Sequence, residues 1–487
     1  MKLPKKTENR TLQKAPTGIT GLDEITEGGL PKGRPTLICG DAGSGKTVFS
    51  IEFIVKGAME YNEPGVFVAF EEKSEELAVN VASLGFDLHK LIAAKKIKID
   101  HIQIDRSEIE ETGEYDLEGL FIRLGYAIDS IGAKRVVLDT IENLFSGLSN
   151  HAILRAELRR LFTWLKDKGV TAVITGEKGD SKLTRQGLEE YVSDCVILLD
   201  HRIQNQISTR RLRIIKYRGS VHGTNEYPFL IDEDGISVLP VTSLALSNKV
   251  SSQRVSSGIP TLDDMLGGKG FYRGSSILVS GTAGAGKTSI AAYFVNAACT
   301  RKERCLFFAF EESPEQIMRN MRSIHLNLGQ HVKSGLLHFF ASRPTMHGLE
   351  MHLVIIYKLI RKFKPKVVVL DPITNLVTVG NVSEVKSILI RLIDFLQNEQ
   401  ITVLFTALAS SDGKHRQADE DVASLVDAWI SVGHIEINSQ RNRELFIVKA
   451  RGMKNSNEVR DLMISNRGLE IVKPVPGPER VGSGFGR

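Results

Sequence analysis

The 487-residue sequence predicts an α/β protein built twice: two tandem domains, each a mainly parallel twisted sheet with helices on both faces. Three observations predict it. The glycine-rich stretch GDAGSGKT (Gly40–Thr47) returns as GTAGAGKT (Gly281–Thr288). Short, continuously apolar runs alternate with longer amphipathic ones, as expected for strands buried on both faces and the helices that cover them. The landmarks around the two loops recur in the same order in each half, which marks a domain-sized duplication and not a solenoid.

The elements follow in chain order. MKLPKKTENR is basic and polar with no apolar stretch behind it, so it is no secretory signal, and residues 1–12 read as a disordered arm. TGITGLDEITEGGLPKG (residues 17–33) pairs with SGIPTLDDMLGGKGFYRG (257–274). PTLICG, from Pro35, is a strand that stops at the glycine loop, and TVFSIEFIVKGAMEY after it has helical periodicity. GVFVAF, RVVLD and TAVITG are further strands. LSNHAILRAELRRLFTWLKDKG is an amphipathic helix closed by glycine. VFVAFEEKSEE returns as LFFAFEESPEQ, RVVLDTIENL as KVVVLDPITNL, and YPFLIDEDGISVL as DLMISNRGLEIV. The polar stretch SNKVSSQRVSS (Ser247–Ser257) reads as the joint, which gives a first domain of residues 1–247 and a second of 248–487 with a short C-terminal tail.

Composition narrows the function. The hydrophobic fraction of 42% supports two cores, and no run is long enough for a membrane helix. A net charge of +5 is too weak to argue for nucleic-acid binding. Cys39, Cys195, Cys299 and Cys305 show neither CxxC nor metal spacing, so they read as buried thiols of a reducing cytoplasm.

GxxxxGK[ST] between a strand and a helix is a phosphate loop. Its glycines let backbone N–H groups converge on phosphates with no Cβ in the way, and the following helix presents its positive end. The first loop supplies Gly40, Asp41, Ala42, Gly43, Ser44, Gly45, Lys46 and Thr47; the second supplies Gly281, Thr282, Ala283, Gly284, Ala285, Gly286, Lys287 and Thr288. Lys46 and Lys287 are placed to reach the β- and γ-phosphates of ATP, and Thr47 and Thr288 to offer a hydroxyl to Mg²⁺. Asp139 and Asp371, each ending an apolar strand, complete the metal's oxygen shell. The doublets Glu71–Glu72 and Glu311–Glu312 follow aromatic-rich strands, where one carboxylate can deprotonate a water or a hydroxyl; a helix first turn is the competing reading. RIIKYRGSVH carries Lys216, Arg218 and His222 on a late strand and its exit, and FIVKARGMKN carries Lys449 and Arg451 at the matching place. In ring-forming phosphate-loop ATPases such a pair reaches the neighbouring subunit's γ-phosphate.

Together the loops, the F-E-E doublets, the strand-end aspartates and the K-x-R-G pairs resemble the KaiC family of clock ATPases and autokinases, over roughly residues 12–470. TGITGLDEITEGGLPKG, GLEEYVSD and KYRGSVHGTNEYPF carry the finer likeness. The resemblance implies two RecA-like phosphate-loop NTPase domains, a homohexameric double ring with ATP between subunits, hydrolysis mostly in the first ring, and protein phosphorylation in the second. It adds Ser83 and Ser323 to the nucleotide contacts, and Ser220 with His222, Lys216 and Arg218 from a neighbour. Glu71, Glu72, Glu311 and Glu312 become the catalytic carboxylates. KaiC-like proteins also occur outside clocks, so the implied output is a clock-like or stress-signalling switch.

Three departures shape the expectation. The family's adjacent Ser-Thr acceptor pair reads Ala423–Ser424 here, leaving Ser424 as one acceptor downstream of Asp419, Glu420 and Asp421. RGMKNS has Met453 and Asn455 where RGSVH has Ser220 and His222. The chain stops at VGSGFGR, without the longer tail that binds KaiA, so a KaiB-like partner is expected and KaiA is not. Two other readings share the fold. A RecA-like DNA-dependent ATPase would use basic elements such as RRLRIIKYR or KLIRKFKPK, and a nucleotide-gated hexameric scaffold would bind ATP with almost no turnover.

Overall fold

The computed structural model describes residues 12–102, 117–145, 151–179, 184, 193–204, 207–240, 251–380, 382–409, 424–437 and 440–474. The chain divides into two compact units, Met1–Thr242 and Ser243–Arg487.

Among the described residues the first unit has eleven strands: β1 (Lys14–Ala15), β2 (Leu30–Pro31), β3 (Pro35–Gly40), β4 (Gly65–Ala69), β5 (Ile97–His101), β6 (Arg135–Asp139), β7 (Thr171–Glu177), β8 (Cys195–Gln204), β9 (Ile207–Tyr217), β10 (Glu226–Asp232) and β11 (Gly235–Val238). β1 and β2 form a small antiparallel pair. The rest make one nine-stranded sheet in the order β11-β10-β9-β8-β3-β7-β6-β4-β5. From β5 to β8 the strands are parallel; β9, β10 and β11 extend the sheet antiparallel.

Alternation along the central strands explains the two-layer cover. Ile38, Phe67, Val137 and Val173 face one hydrophobic cluster, which holds Phe49 and Phe53 of the helix Lys46–Glu60. Their neighbours Leu37, Val66, Val136 and Ala172 face the other, with Leu124 and Leu158 from the helices Glu118–Ile131 and His151–Asp167. Each large apolar side chain buried this way contributes roughly 1.5–3 kcal/mol. The helix over Leu124 stops at Gly132, whose φ of 63° suits a residue without Cβ.

The second unit repeats this plan strand for strand: β12 (Arg254–Val255), β13 (Phe271–Tyr272), β14 (Ser276–Gly281), β15 (Cys305–Ala309), β16 (Leu337–Ala341), β17 (Val367–Asp371), β18 (Thr402–Leu408), β19 (Ala428–Ile437), β20 (Gln440–Ala450), β21 (Arg460–Ser465) and β22 (Gly468–Val472). Its sheet runs β16-β15-β17-β18-β14-β19-β20-β21-β22, the same order read from the other edge. Both units are thus the RecA-like domain expected from the sequence.

The joint differs from its sequence reading at one end. Arg254–Val255 pairs with Phe271–Tyr272, and the Arg254 guanidinium donates to the carbonyls of Leu266 and Gly270. The last residues of SNKVSSQRVSS therefore belong to the second unit's core. The expected arm falls almost wholly in residues 1–11, and the acidic run Asp419–Asp421, Ala423 and most of GLEEYVSD also lie outside the described residues. The four cysteines are buried thiols that form no disulfide. Among the described residues no helix is long and apolar enough to cross a membrane.

Candidate functional site

Each glycine loop leaves the carboxyl end of the central strand, β3 or β14, and opens the helix Lys46–Glu60 or Lys287–Thr300. Backbone crowding fixes the glycines. A Cβ on Gly40 would lie 2.4 Å from the Leu199 carbonyl oxygen, and one on Gly281 1.9 Å from that of Val432. Gly45 and Gly286 take φ near 104° and 101° at the helix start. In both loops the lysine curls back over the backbone. Lys46 Nζ donates to the carbonyls of Gly40 (2.8 Å) and Asp41 (3.0 Å); Lys287 Nζ donates to those of Gly281 and Thr282 (both 2.9 Å).

The strand-end aspartates arrive two strands away. Asp139 is buried and accepts from the Thr175 hydroxyl of β7 and from Thr47; Asp371 accepts from Thr406 of β18 and from Thr288. Burial pushes both carboxyls above the usual range, while these hydroxyls and Lys46 or Lys287 pull them back. Loop threonine, loop lysine and strand-end carboxylate thus meet in one place in each half.

The doublets join them from β4 and β15. Phe70 N–H donates to the Asp139 carbonyl (3.0 Å), and Phe310 N–H to that of Asp371 (2.9 Å). This pins Glu71 and Glu311 beside the aspartates. Both doublets lie ahead of the helices Ser74–Ala82 and Pro314–Arg322, and other acids, Glu75, Glu76 and Glu315, occupy their first turns. Glu72 accepts from Asn80 (3.3 Å) and Glu312 from Asn320 (3.4 Å). Glu71 further accepts from Asn143 (2.7 Å) and Thr140 (3.4 Å). Pro372 stands at the place of Thr140, and Glu311 makes no hydrogen bond among the described residues. Ser83 and Ser323 cap the same helices, their hydroxyls turned to the carbonyls of Asn80 (3.4 Å) and Asn320 (2.7 Å).

The Lys-x-Arg pairs lie at the far end of the sheet. Lys216 pairs with Val196 at the start of β8, beside the first residues of β3, and Lys449 pairs with Trp429 at the start of β19. A loop four or five residues further along β3 or β14 is about 15 Å away at ~3.3 Å per residue. Arg218 and Arg451 follow their strands in a turn, their N–H groups held by the carbonyls of Asp194 (2.9 Å) and Asp427 (2.8 Å). Ser220 is turned to the Val221 carbonyl, and His222 stacks on Tyr217 with ring centroids 6.1 Å apart. In the second half Met453 instead packs into its own core. Ser424 lies exposed in the turn before β19, where Lys449 Nζ (3.5 Å) and Arg451 Nη2 (2.8 Å) donate to its carbonyl.

The family model described as "ATPase: KaiC" matches residues 15–243 and again 255–475, one copy for each sheet just described. The chain belongs to the KaiC family. Relatives in it include the circadian clock protein KaiC2 of Synechocystis, 58% identical over 99% of this chain and 85% of that protein. The circadian clock oscillator protein KaiC of Synechococcus elongatus is 37% identical over 98% of this chain and 92% of its own. That of Parasynechococcus marenigrum is 37% identical over 97% and 93%. Membership in a family of ATPases implies that the chain binds ATP.

Several residues of this KaiC-type site escaped the sequence reading. Thr175 and Thr406 orient the aspartates, Asn143 and Thr140 hold Glu71, and Arg443 Nε donates to the Gly284 carbonyl of the second loop (3.0 Å). Only the repeat hinted at the first pair, because TAVITGE and TVLFTAL carry threonine on the same rung.

Proposed function

We propose that both halves bind ATP with Mg²⁺, that the first half carries most of the hydrolysis, and that the second transfers phosphate to Ser424 as a serine/threonine autokinase. The observation that carries the reading is the meeting of glycine loop, buried aspartate and glutamate doublet in each half, with the Lys-x-Arg pair at the opposite end of the same sheet. Cations that far from their own loop fit a neighbour's, which favours a homohexameric ring.

The residues suit the metal: a buried carboxylate and a threonine hydroxyl already share a hydrogen bond in each half, a hard-oxygen pair at the loop's exit. Thr47 and Asp139, or Thr288 and Asp371, would hold Mg²⁺, which would supply positive charge against the phosphates. Lys46 and Lys287 turn from the loop carbonyls to the phosphates. Glu71 takes the proton of a water whose oxygen bonds to the γ-phosphorus as the bond to the β-phosphate oxygen breaks, and Glu72 supports it. Asn143 and Thr140 fix the carboxylate for that task. In the second half Glu311 or Glu312 takes the proton of the Ser424 that a neighbouring subunit presents beside its Lys449 and Arg451, the hydroxyl oxygen accepts the phosphoryl group and ADP leaves. Lys216, Arg218, Lys449 and Arg451 stabilise the developing charge from the neighbouring subunit, with Ser220, His222, Ser83 and Ser323 as further nucleotide contacts. A cytoplasmic signalling switch, clock-like or stress-related and docking a KaiB-like partner, is the output this reading favours.

The test is incubation with Mg-ATP followed by peptide mass spectrometry. Phosphate on Ser424, lost in Glu311→Gln/Glu312→Gln, supports the autokinase. ADP accumulating with no phosphate on the chain contradicts it.

A further inference from the structure

The first loop carries a feature that the second lacks as a unit. Asp41, the loop's second residue, lies with its carboxylate 3.4 Å from Lys178 Nζ, and the same ammonium is 3.7 Å from Asp200. The three come from β3, the exit of β7 and β8, the strands that flank the loop on both sides. The Lys178 N–H donates to the Gly40 carbonyl (3.2 Å), which also accepts from Lys46 Nζ (2.8 Å). The Lys178 backbone amide and the Lys46 ammonium therefore share one carbonyl at the loop's entrance, which fixes the base of the Lys178 side chain beside the loop while its ammonium reaches Asp41 and Asp200.

In the second half the matching hydrogen bond runs from Ala409 N–H to the Gly281 carbonyl (2.9 Å), so Ala409 occupies the place of Lys178. Strand register puts Gly433 at the place of Asp200, since Leu199 and Val432 face the first glycine of each loop. Thr282 stands for Asp41, and its hydroxyl is 2.9 Å from His434 Nδ1. Acid, lysine and acid have become threonine, alanine and glycine together.

An acid at the second position of a phosphate loop is unfavourable next to a polyanion unless a cation offsets it. Lys178 does so, and about a third of its side chain remains exposed at the mouth of the loop. We infer that Lys178 is a further substrate-contacting residue of the first site: its ammonium moves from Asp41 and Asp200 onto the γ-phosphate and gives this site a preference for the triphosphate over the diphosphate. The inference rests on the nucleotide reading given above. The γ-phosphate is what distinguishes the two ligands, so a residue that touches it changes one affinity and spares the other. A residue that only shapes the loop changes both.

The experiment measures binding of ATPγS and of ADP by calorimetry on the full chain carrying Lys287→Ala, which silences the second loop. Lys178→Met is expected to weaken ATPγS about tenfold, the effect of losing one charge-assisted hydrogen bond, and ADP less than twofold. Lys178→Arg is expected to keep the preference, which separates loss of charge from misfolding. Adding Asp41→Asn to Lys178→Met is expected to leave ATPγS binding weak. Equal losses for both nucleotides, no loss for either, or full recovery with Asp41→Asn would each overturn the inference, the last by making Lys178 a mere counter-ion to Asp41. If the parent chain takes up neither nucleotide, the underlying reading fails and this inference falls with it.

Discussion

The two halves share one frame and differ at its strand ends. In both, a lysine caps the loop carbonyls and a threonine pair grips the buried aspartate. In the first half alone Glu71 is held by Asn143 and Thr140, and an acid–lysine–acid set guards the loop. In the second, Pro372 removes the hydroxyl that Thr140 supplies, and the Lys-x-Arg pair binds the turn that carries Ser424. On the function proposed above, the duplicated fold keeps its phosphate grip and changes the groups that choose the nucleophile: a fixed carboxylate suits water, and an acceptor hydroxyl beside the cations suits transfer to protein.

The largest effect that sharpens this contrast is expected from Glu71→Gln. Turnover at the first site should fall roughly 10²-fold or more, the usual loss on removing a general base, so that the full chain loses most of its phosphate release. Glu311→Gln should leave most of the release intact.

A second contrast lies behind the loops. The buried Glu52 carboxylate on the first loop helix accepts from Ile236 N–H (2.7 Å), whereas the Tyr293 hydroxyl accepts from Leu469 N–H (3.0 Å) at the matching place. Burial, helped by Asp232 and Glu60, holds Glu52 up at about 7 against the opposing pull of the Ile236 N–H and Lys56. The folded state then binds more protons than the unfolded one between the ordinary carboxylate range and about pH 7, so Glu52 makes stability fall as pH rises through that window and stay flat above it. Glu52→Gln is expected to remove that fall and raise stability at pH 8 by roughly 3 kcal/mol, with little change near pH 4. Thermal melts at the two pH values check it.

Gly40→Ala places a methyl 2.4 Å from the Leu199 carbonyl and should cost about 1–3 kcal/mol while abolishing nucleotide uptake in the first half only. The smallest effect belongs to the second half's doublet helix. Ser313 accepts from Gln316 N–H (3.3 Å) in a capping box, so Ser313→Ala should lower that domain's stability by ~1 kcal/mol in denaturant titration and leave the first half untouched.

Much of this frame was legible in the sequence. Parallel strands buried on both faces give unbroken apolar runs such as RVVLD and VVVLD, and the phosphate loop needs glycine at fixed places. What stayed hidden is set by sheet order. β7 lies between β3 and β6 although it follows them in the chain, so nothing local announces that Thr175 reaches Asp139 or that Lys178 reaches Asp41. The pairing of Arg254–Val255 was equally silent, because two residues in a polar stretch carry no periodicity. The separation of Lys216 from its own loop could be read only from register.

The central claim is a division of labour, and the most direct measurement compares Lys46→Ala with Lys287→Ala in the full chain, following phosphate release and Ser424 phosphorylation in the same samples. The account predicts that Lys46→Ala removes most of the release, while Lys287→Ala removes phosphate from Ser424 and spares most of the release. Most of the release lost with Lys287→Ala, or Ser424 still phosphorylated in that variant, would contradict it.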